Sequence, residues 1–532
     1  MKRAVLGLAL AAPAAARIDV TETLVVDARD DRLSFEDGGQ DVDRNPANDD
    51  LGAVLSRLDL RGEHGGFLAG VRIDNSVFVG EPPCPFTPGD ARCPVDDHRP
   101  GTTPSAGTRH LWPERAHLEV GSGALRIRAG DTYARFGNGL VLSLRKVDEL
   151  GLDTTLFGGR IDARAGPLSL AGLGGRTNVQ NVDPATLQHV EDPEDPMGGA
   201  RIEGRAGPAV LGAQGLFSRL DSGSGARTEN RVAGATADVT LLAGALRASV
   251  EGDVLSQDYT LATGDVESRT GRAEYARVQV VRAPWTVLAE VKDYVSFRLG
   301  PDPTGLLVPV YHEPPTLERE GEQVPSIDQA VGARLRADRR FAGPRLGVFA
   351  SGMGYGHGPP PEGRIDSGDS VWHGYAGLDK RFERSDLFLI ATAGYRRQQA
   401  DFALERDVIH GEIDVGVPAP GGLPGALELR HEQREQRKVL VTQTQRFRRI
   451  LTTLAWHLPP RWELALLYGF DDEFARAAPV HYLGGEVALR AADWLSVKLF
   501  SGSRPGGLIC ASGTCRTLPP YSGVRAELVA RF

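Results

Sequence analysis

Val524-Arg525-Ala526-Glu527-Leu528-Val529-Ala530-Arg531-Phe532 closes the chain. On an extended backbone Val524, Ala526, Leu528, Ala530 and Phe532 share one face, while Arg525, Glu527, Val529 and Arg531 share the other. A strand with one apolar and one charged face, ending on an aromatic residue, is the pattern of the closing strand of a bacterial outer-membrane β-barrel, with Phe532 as its assembly signal. The alternative for this segment taken alone is the edge strand of a soluble sandwich.

The other end of the chain agrees with the barrel. Lys2 and Arg3 precede the apolar run Ala4 to Ala12, and Ala14-Ala15-Ala16 offers a small-residue cleavage site, so residues 1–16 read as a secretory signal peptide and 17–532 as the folded domain. Cleavage would remove two positive charges and no acids, taking the formal net charge from −9 to −11. So acidic a chain is a poor nucleic-acid binder. No stretch approaches the roughly 20 consecutive apolar residues of a membrane-spanning helix, and mean hydropathy is −0.25. A bilayer would therefore be crossed by strands closed into a barrel, the other structure that pairs every backbone group in lipid.

Period-two alternation recurs along the chain. Leu246, Ala248, Val250 and Val254 oppose Arg247, Ser249, Glu251 and Asp253, and Val331, Ala333, Leu335 and Ala337 oppose Arg334, Arg336 and Asp338. Charges of both signs suit a wet lumen wall with cross-strand ion pairs. Short connections such as 121–123, 166–167, 206–208, 282–284, 341–344, 459–460 and 491–492 alternate with long polar segments near 36–50, 79–111, 131–155, 177–196, 219–230, 258–268, 298–326, 355–369, 399–406, 435–443, 471–479 and 503–520. Twelve long loops and eleven short turns predict an all-β fold, a single antiparallel transmembrane barrel of about 24 strands with a range of 22–26, short turns in the periplasm and long loops outside. Trp112, Trp285, Tyr294, Trp372, Trp462 and Trp494 fall at strand ends, where an aromatic girdle would place them. Cys84 with Cys93 and Cys510 with Cys515 lie close in sequence in Pro/Gly-rich segments and read as two local disulfides in external loops. Neither pair has the spacing or His partners of a metal site.

Catalytic motifs are missing: there is no G-x-S-x-G, H-E-x-x-H or GxxxxGK[ST]. The twelve histidines read as solvated groups in loops and strand ends, and no cofactor or metal is expected. Asp41-Val42-Asp43-Arg44-Asn45 opens like a calcium loop, but Pro46 stands where the turn glycine belongs and Gly52 where the twelfth-position glutamate belongs.

One segment breaks the alternation: Gly130-Asp131-Thr132-Tyr133-Ala134-Arg135-Phe136-Gly137-Asn138-Gly139-Leu140, continuing through Arg145 and Glu149-Leu150-Gly151-Leu152-Asp153 to Gly158-Gly159-Arg160. Glycine among aromatic and charged residues suits a loop folded into a crowded interior. Residues 131–155 are accordingly expected to fold inward as a lumen constriction, with Tyr133, Phe136, Gly137 and Gly139 packing across it. Asp131, Arg145, Glu149 and Asp153 are expected to pair with wall charges such as Arg126, Arg128, Arg160 and Arg164.

These residues resemble a family of uncharacterised bacterial outer-membrane barrels, a domain of unknown function, whose motif runs G-D-x-Y-x-x-F-G-x-G-L followed by R, E and L-G-I-D. The resemblance spans about thirty residues and implies an outer-membrane barrel, without a substrate. Leu152 replaces the isoleucine, and Arg145-Lys146-Val147-Asp148-Glu149 lacks the aromatic of the pattern.

Three functions fit such a chain. The leading one is a non-enzymatic channel or transporter for hydrophilic solutes. The second is a structural or docking component of an envelope-spanning complex, seated against a periplasmic or surface protein, and the third is an embedded hydrolase. Each implies contact with outer-membrane lipid and lipopolysaccharide and with the barrel assembly machinery during biogenesis.

Overall fold

The structure is a computed structural model describing residues 17–30, 50–79, 108–182, 194–221, 227–261, 263–299, 311–319, 329–356, 370–382, 387–400, 404–440, 443–472, 480–511, 514–518 and 521–532. Cys84, Cys93 and residues 1–16 lie outside the described residues.

Each strand pairs antiparallel with the next in sequence, and the first closes on the last, Thr21 opposite Arg531 through Arg29 opposite Gly523. Of the 25 members of this sheet one is the two-residue piece Lys146–Val147, which leaves 24 wall strands. The closing strand Tyr521–Arg531 sits where its alternation predicts, between Leu495–Arg504 and Arg17–Asp30.

Closure turns alternation into an inside and an outside. On Leu246–Thr260, Val250 and Val254 are 53% and 60% exposed on the outer face, while Ser249, Glu251 and Asp253 on the inner face are buried. The outward apolar side chains, Leu335, Leu466 and Leu483 among them, form the belt that lipid would cover. Charged residues pair along the inner face, as Lys498 does with Glu486 at 2.9 Å and Arg336 with Asp338 at 2.8 Å.

Loop lengths depart from expectation in places. Ala426–Leu440 and Gln443–Leu458 run on to within two residues of each other, and Phe388–Ala400 to within three of Leu404–Pro418. Charges near 399–406 and 435–443 suggested loops, yet they still alternate along a paired backbone, as Arg437 does opposite Asp407. The girdle also needs correction. Trp285, Trp462 and Trp494 face outward near the short-turn end, but Tyr294 is fully buried on the inner side.

Candidate functional site

The inward segment starts at a tight crossing. Gly130 has φ +93°, and a Cβ there would lie 2.1 Å from the Ala116 carbonyl, so only glycine fits between the two strands. Asp131 and Thr132 still belong to Leu125–Thr132, and Leu152–Ala165 starts at Leu152, so the part leaving the wall is 133–151 rather than 131–155. It forms a small hairpin, Ala134–Phe136 against Leu142–Leu144, followed by a single 3-10 turn, Asp148–Leu150. Gly137 (φ +55°) and Gly139 (φ +93°) make its bend, closed by Gly139 N–H donating to the Phe136 carbonyl at 3.0 Å. A Cβ on Gly137 would meet the Glu251 carboxylate at 1.9 Å. That carboxylate instead accepts from the Asn138 amide N–H at 2.6 Å and from its side chain at 2.8 Å.

Apolar burial holds the hairpin. Leu140, Val141 and Leu142 are fully buried, in one cluster with wall residues Met197, Leu216 and Leu255. Each such side chain contributes about 1.5–3 kcal/mol relative to exposure.

A second inward piece, residues 311–319, completes the arrangement. Ser143 N–H donates to the Tyr311 carbonyl at 2.8 Å and Glu313 N–H to the Gly139 carbonyl at 2.8 Å, so this chain runs alongside the hairpin. The Glu313 carboxylate holds Arg145, and His312 Nδ1 donates to the Leu140 carbonyl at 3.3 Å. Farther along, Glu318 anchors on the opposite wall. Its carboxylate accepts from His373 Nδ1 at 2.7 Å, Arg396 Nε at 2.9 Å and Tyr355 hydroxyl at 3.1 Å. Arg319 Nη1 donates to His410 Nδ1 at 3.0 Å, which leaves His410 Nε2 the protonated nitrogen. That nitrogen donates to His373 Nε2 at 2.9 Å. Burial alone would raise the Glu318 carboxyl, but the His373 donor and the Arg396 guanidinium hold it below its ordinary value.

The expected partners are mostly replaced. Arg126 and Arg128 pair with Glu119 at 3.1 and 2.5 Å, not with the inward segment. Asp131 accepts from Ala116 N–H at 2.7 Å, Thr155 hydroxyl at 2.7 Å and Asn178 amide at 2.8 Å. Asp153 pairs with Arg72 at 2.9 Å and accepts from the Tyr133 hydroxyl at 2.8 Å. Arg160 binds Asp162 at 2.8 Å and the Tyr133 carbonyl at 2.6 Å, the one expected wall cation that reaches the segment among the described residues. No described pair joins Arg164 to it, and the side chain of Glu149 lies outside the described residues. Phe136 is buried as expected, whereas Tyr133 stays 41% exposed; burial of its hydroxyl, together with the Asp153 carboxylate, pushes the phenol well up.

Sequence reasoning missed Arg72, Glu114, Arg115, Glu313, Glu318, His373 and His410. His312, His373 and His410 are buried, not solvated. The inward register of His373 and His410 was legible in the alternation of their strands; the segment that covers them, which carries His312, was not.

The remaining wall, from Ala426–Leu440 round to Tyr521–Arg531, keeps exposed charges on its inner face. The side chains of Arg430, Glu463 and Lys498 are 68%, 47% and 52% exposed. A hollow at the short-turn end is lined by Glu463, Arg490, Lys498 and Glu527.

Among solved structures the siderophore receptor PirA from Pseudomonas aeruginosa aligns with 97% of this chain and 80% of its own, at 10% identity and a TM-score of 0.50. The fold is that of an outer-membrane β-barrel. The P pilus usher (PapC) translocation pore also aligns, over 97% of this barrel and 99% of its own chain, at 8% identity and TM-score 0.41. OccK9 (OpdG) from Pseudomonas aeruginosa aligns over 74% and 96%, at 14% identity and TM-score 0.37. At these identities the likeness is one of fold. No family model matches the barrel, and no curated protein does.

Proposed function

We propose that this barrel is a channel or transporter for hydrophilic solutes in the outer membrane, its long loops outside, with residues 133–151 and 311–319 as the lumen constriction. The observation that carries it is the division of the inner wall. One arc is packed against inward chain, and the other presents water-exposed charges of both signs, Arg430, Glu463 and Lys498 among them. Exposed charge on the inside of a closed barrel implies a wet path. The inward chain narrows that path without filling the charged arc. No catalytic step is assigned to it. Export through residues 1–16, insertion by the barrel assembly machinery and contact with lipopolysaccharide belong to the same reading.

Single-channel recording on the reconstituted full chain tests the proposal. Discrete ion-conducting openings are expected, larger in a variant with residues 137–142 replaced by a shorter linker. A correctly assembled barrel without conductance in either form would reject the channel and favour the docking component.

A further inference from the structure

Among the described residues, the shortest main-chain ladder between neighbouring wall strands marks a seam. Thr108–Gly121 pairs with Phe67–Val79 from Phe67 opposite Val120 to Phe78 opposite Thr108. On its other side it pairs with Leu125–Thr132 only from His117 opposite Gly130 to Gly121 opposite Arg126. Beyond Thr132 the chain turns inward, and the next wall strand, Leu152–Ala165, has Leu152 and Asp153 paired with the returning Val147 and Lys146.

Across this seam each joining bond runs between a side chain and a main-chain group. Ala116 N–H donates to Asp131 at 2.7 Å, and Arg115 Nη2 donates to the Asp153 carbonyl at 2.9 Å. Asn178 Nδ2 donates to the Glu114 carbonyl at 3.1 Å, and the Glu114 carboxylate accepts from Asn181 N–H at 3.1 Å. Behind them Arg72 holds Asp153 at 2.9 Å and Asp74 at 3.0 Å, and all of these charged side chains are buried. A main-chain ladder cannot part in lipid without orphaning N–H and C=O groups. Here each joining bond has a side chain at one end, which can turn to a new partner as the strands part, and among the described residues this junction has the fewest main-chain pairs to break. The hydroxyl of Tyr133 on Asp153 ties the seam to the inward segment, so movement of one loosens the other.

We propose that this seam is a lateral exit from the lumen to the surrounding lipid, serving an amphiphile with an acyl chain. A purely hydrophilic solute gains nothing from a path into lipid, whereas an acyl chain gains its burial. Leu111 and Phe157 flank the seam on the outer face as apolar surface, 62% and 54% exposed, against which an emerging acyl chain would lie. This goes beyond axial passage of solutes, which needs no opening in the wall.

The test uses the full chain in phospholipid vesicles containing a lysophosphatidylethanolamine with a benzophenone at the end of its chain. After irradiation, adducts are mapped by mass spectrometry, and ion conductance is recorded in parallel. Adducts on residues 133–151 are expected in the native chain. They should be lost in Ala116→Cys/Asp131→Cys once oxidised and restored by reductant, with the native chain carried through the same treatments. Because conductance reads the axial path and adducts the lateral one, loss of adducts with conductance kept supports the exit and leaves the channel reading intact. Interior adducts at the native level in the locked barrel, or none in the native chain, overturn it. Arg115→Gln provides a second arm: more interior adducts than native are expected, and an unchanged yield counts against the seam.

Discussion

At the scale of single residues, the inward segment depends on places where one atom decides. Gly137 combines a left-handed backbone with a Glu251 carboxylate where its Cβ would stand. Gly137→Val should cost about 1–2 kcal/mol in backbone strain before the clash is counted. The expected result is faster proteolysis within 133–151 and raised conductance, while Gly123→Ala, with open space around it, changes neither. Glu318 makes a different prediction. A carboxyl held below its ordinary value contributes stability that is fully present above the unfolded value and is lost as pH falls through the folded one. Residues 311–319 should therefore stay protected at neutral pH and exchange amide hydrogens quickly only below the usual glutamate range. Glu318→Gln should remove that dependence and leave exchange fast throughout; a segment whose protection ignores both changes would show that its anchor lies elsewhere.

Among the elements, the closing strand is the clearest case of a local pattern with a global role. Phe532 exchanges two main-chain hydrogen bonds with Val20, at 2.8 and 2.9 Å, and its ring stacks on Trp494 with centroids 5.3 Å apart. Deleting Phe532 removes both bonds and the stack, whereas Phe532→Ala removes only the stack. The deletion should reduce the folded fraction in the outer membrane more than the alanine variant, read as the ratio of unboiled to boiled gel bands. Equal ratios would assign the signal to the ring alone. In the hairpin Gly507–Ala511 and Thr514–Leu518 the backbone sets Cys510 opposite Cys515. Mass mapping without reductant should find this pair joined, and a disulfide closing so small a ring contributes about 2–3 kcal/mol at most.

For the whole molecule, closure makes pairing cooperative. All 24 wall strands have two neighbours, which abolishes the exposed edges of an open sheet. The protein should migrate faster unboiled than boiled, and identical migration would argue that the ring does not survive detergent. The inward chain spans the molecule, from Arg72 and Asp153 at one wall to His373 and Arg396 at another. Freeing it at one end should loosen the other: Asp153→Asn should raise proteolysis within 311–319 as well as within 133–151.

What the sequence determined by itself was the wall. Period-two alternation such as Leu246 to Asp253 carries its own register, because a side chain on an extended backbone has two faces and closure assigns one to lipid. The strand number followed from the turns, and the break at Gly130 marked where the chain leaves the wall. Its partners were not legible, since Arg145 meets Glu313 and Asp153 meets Arg72 across separations that no local pattern encodes. Tertiary structure alone decided which charges pair, that the ring of His373 is buried beneath Glu318, and where the ladder shortens. Those outcomes depend on how an irregular segment packs inside a closed ring, where contact is set by the three-dimensional position of each wall strand and not by the spacing of residues along the chain.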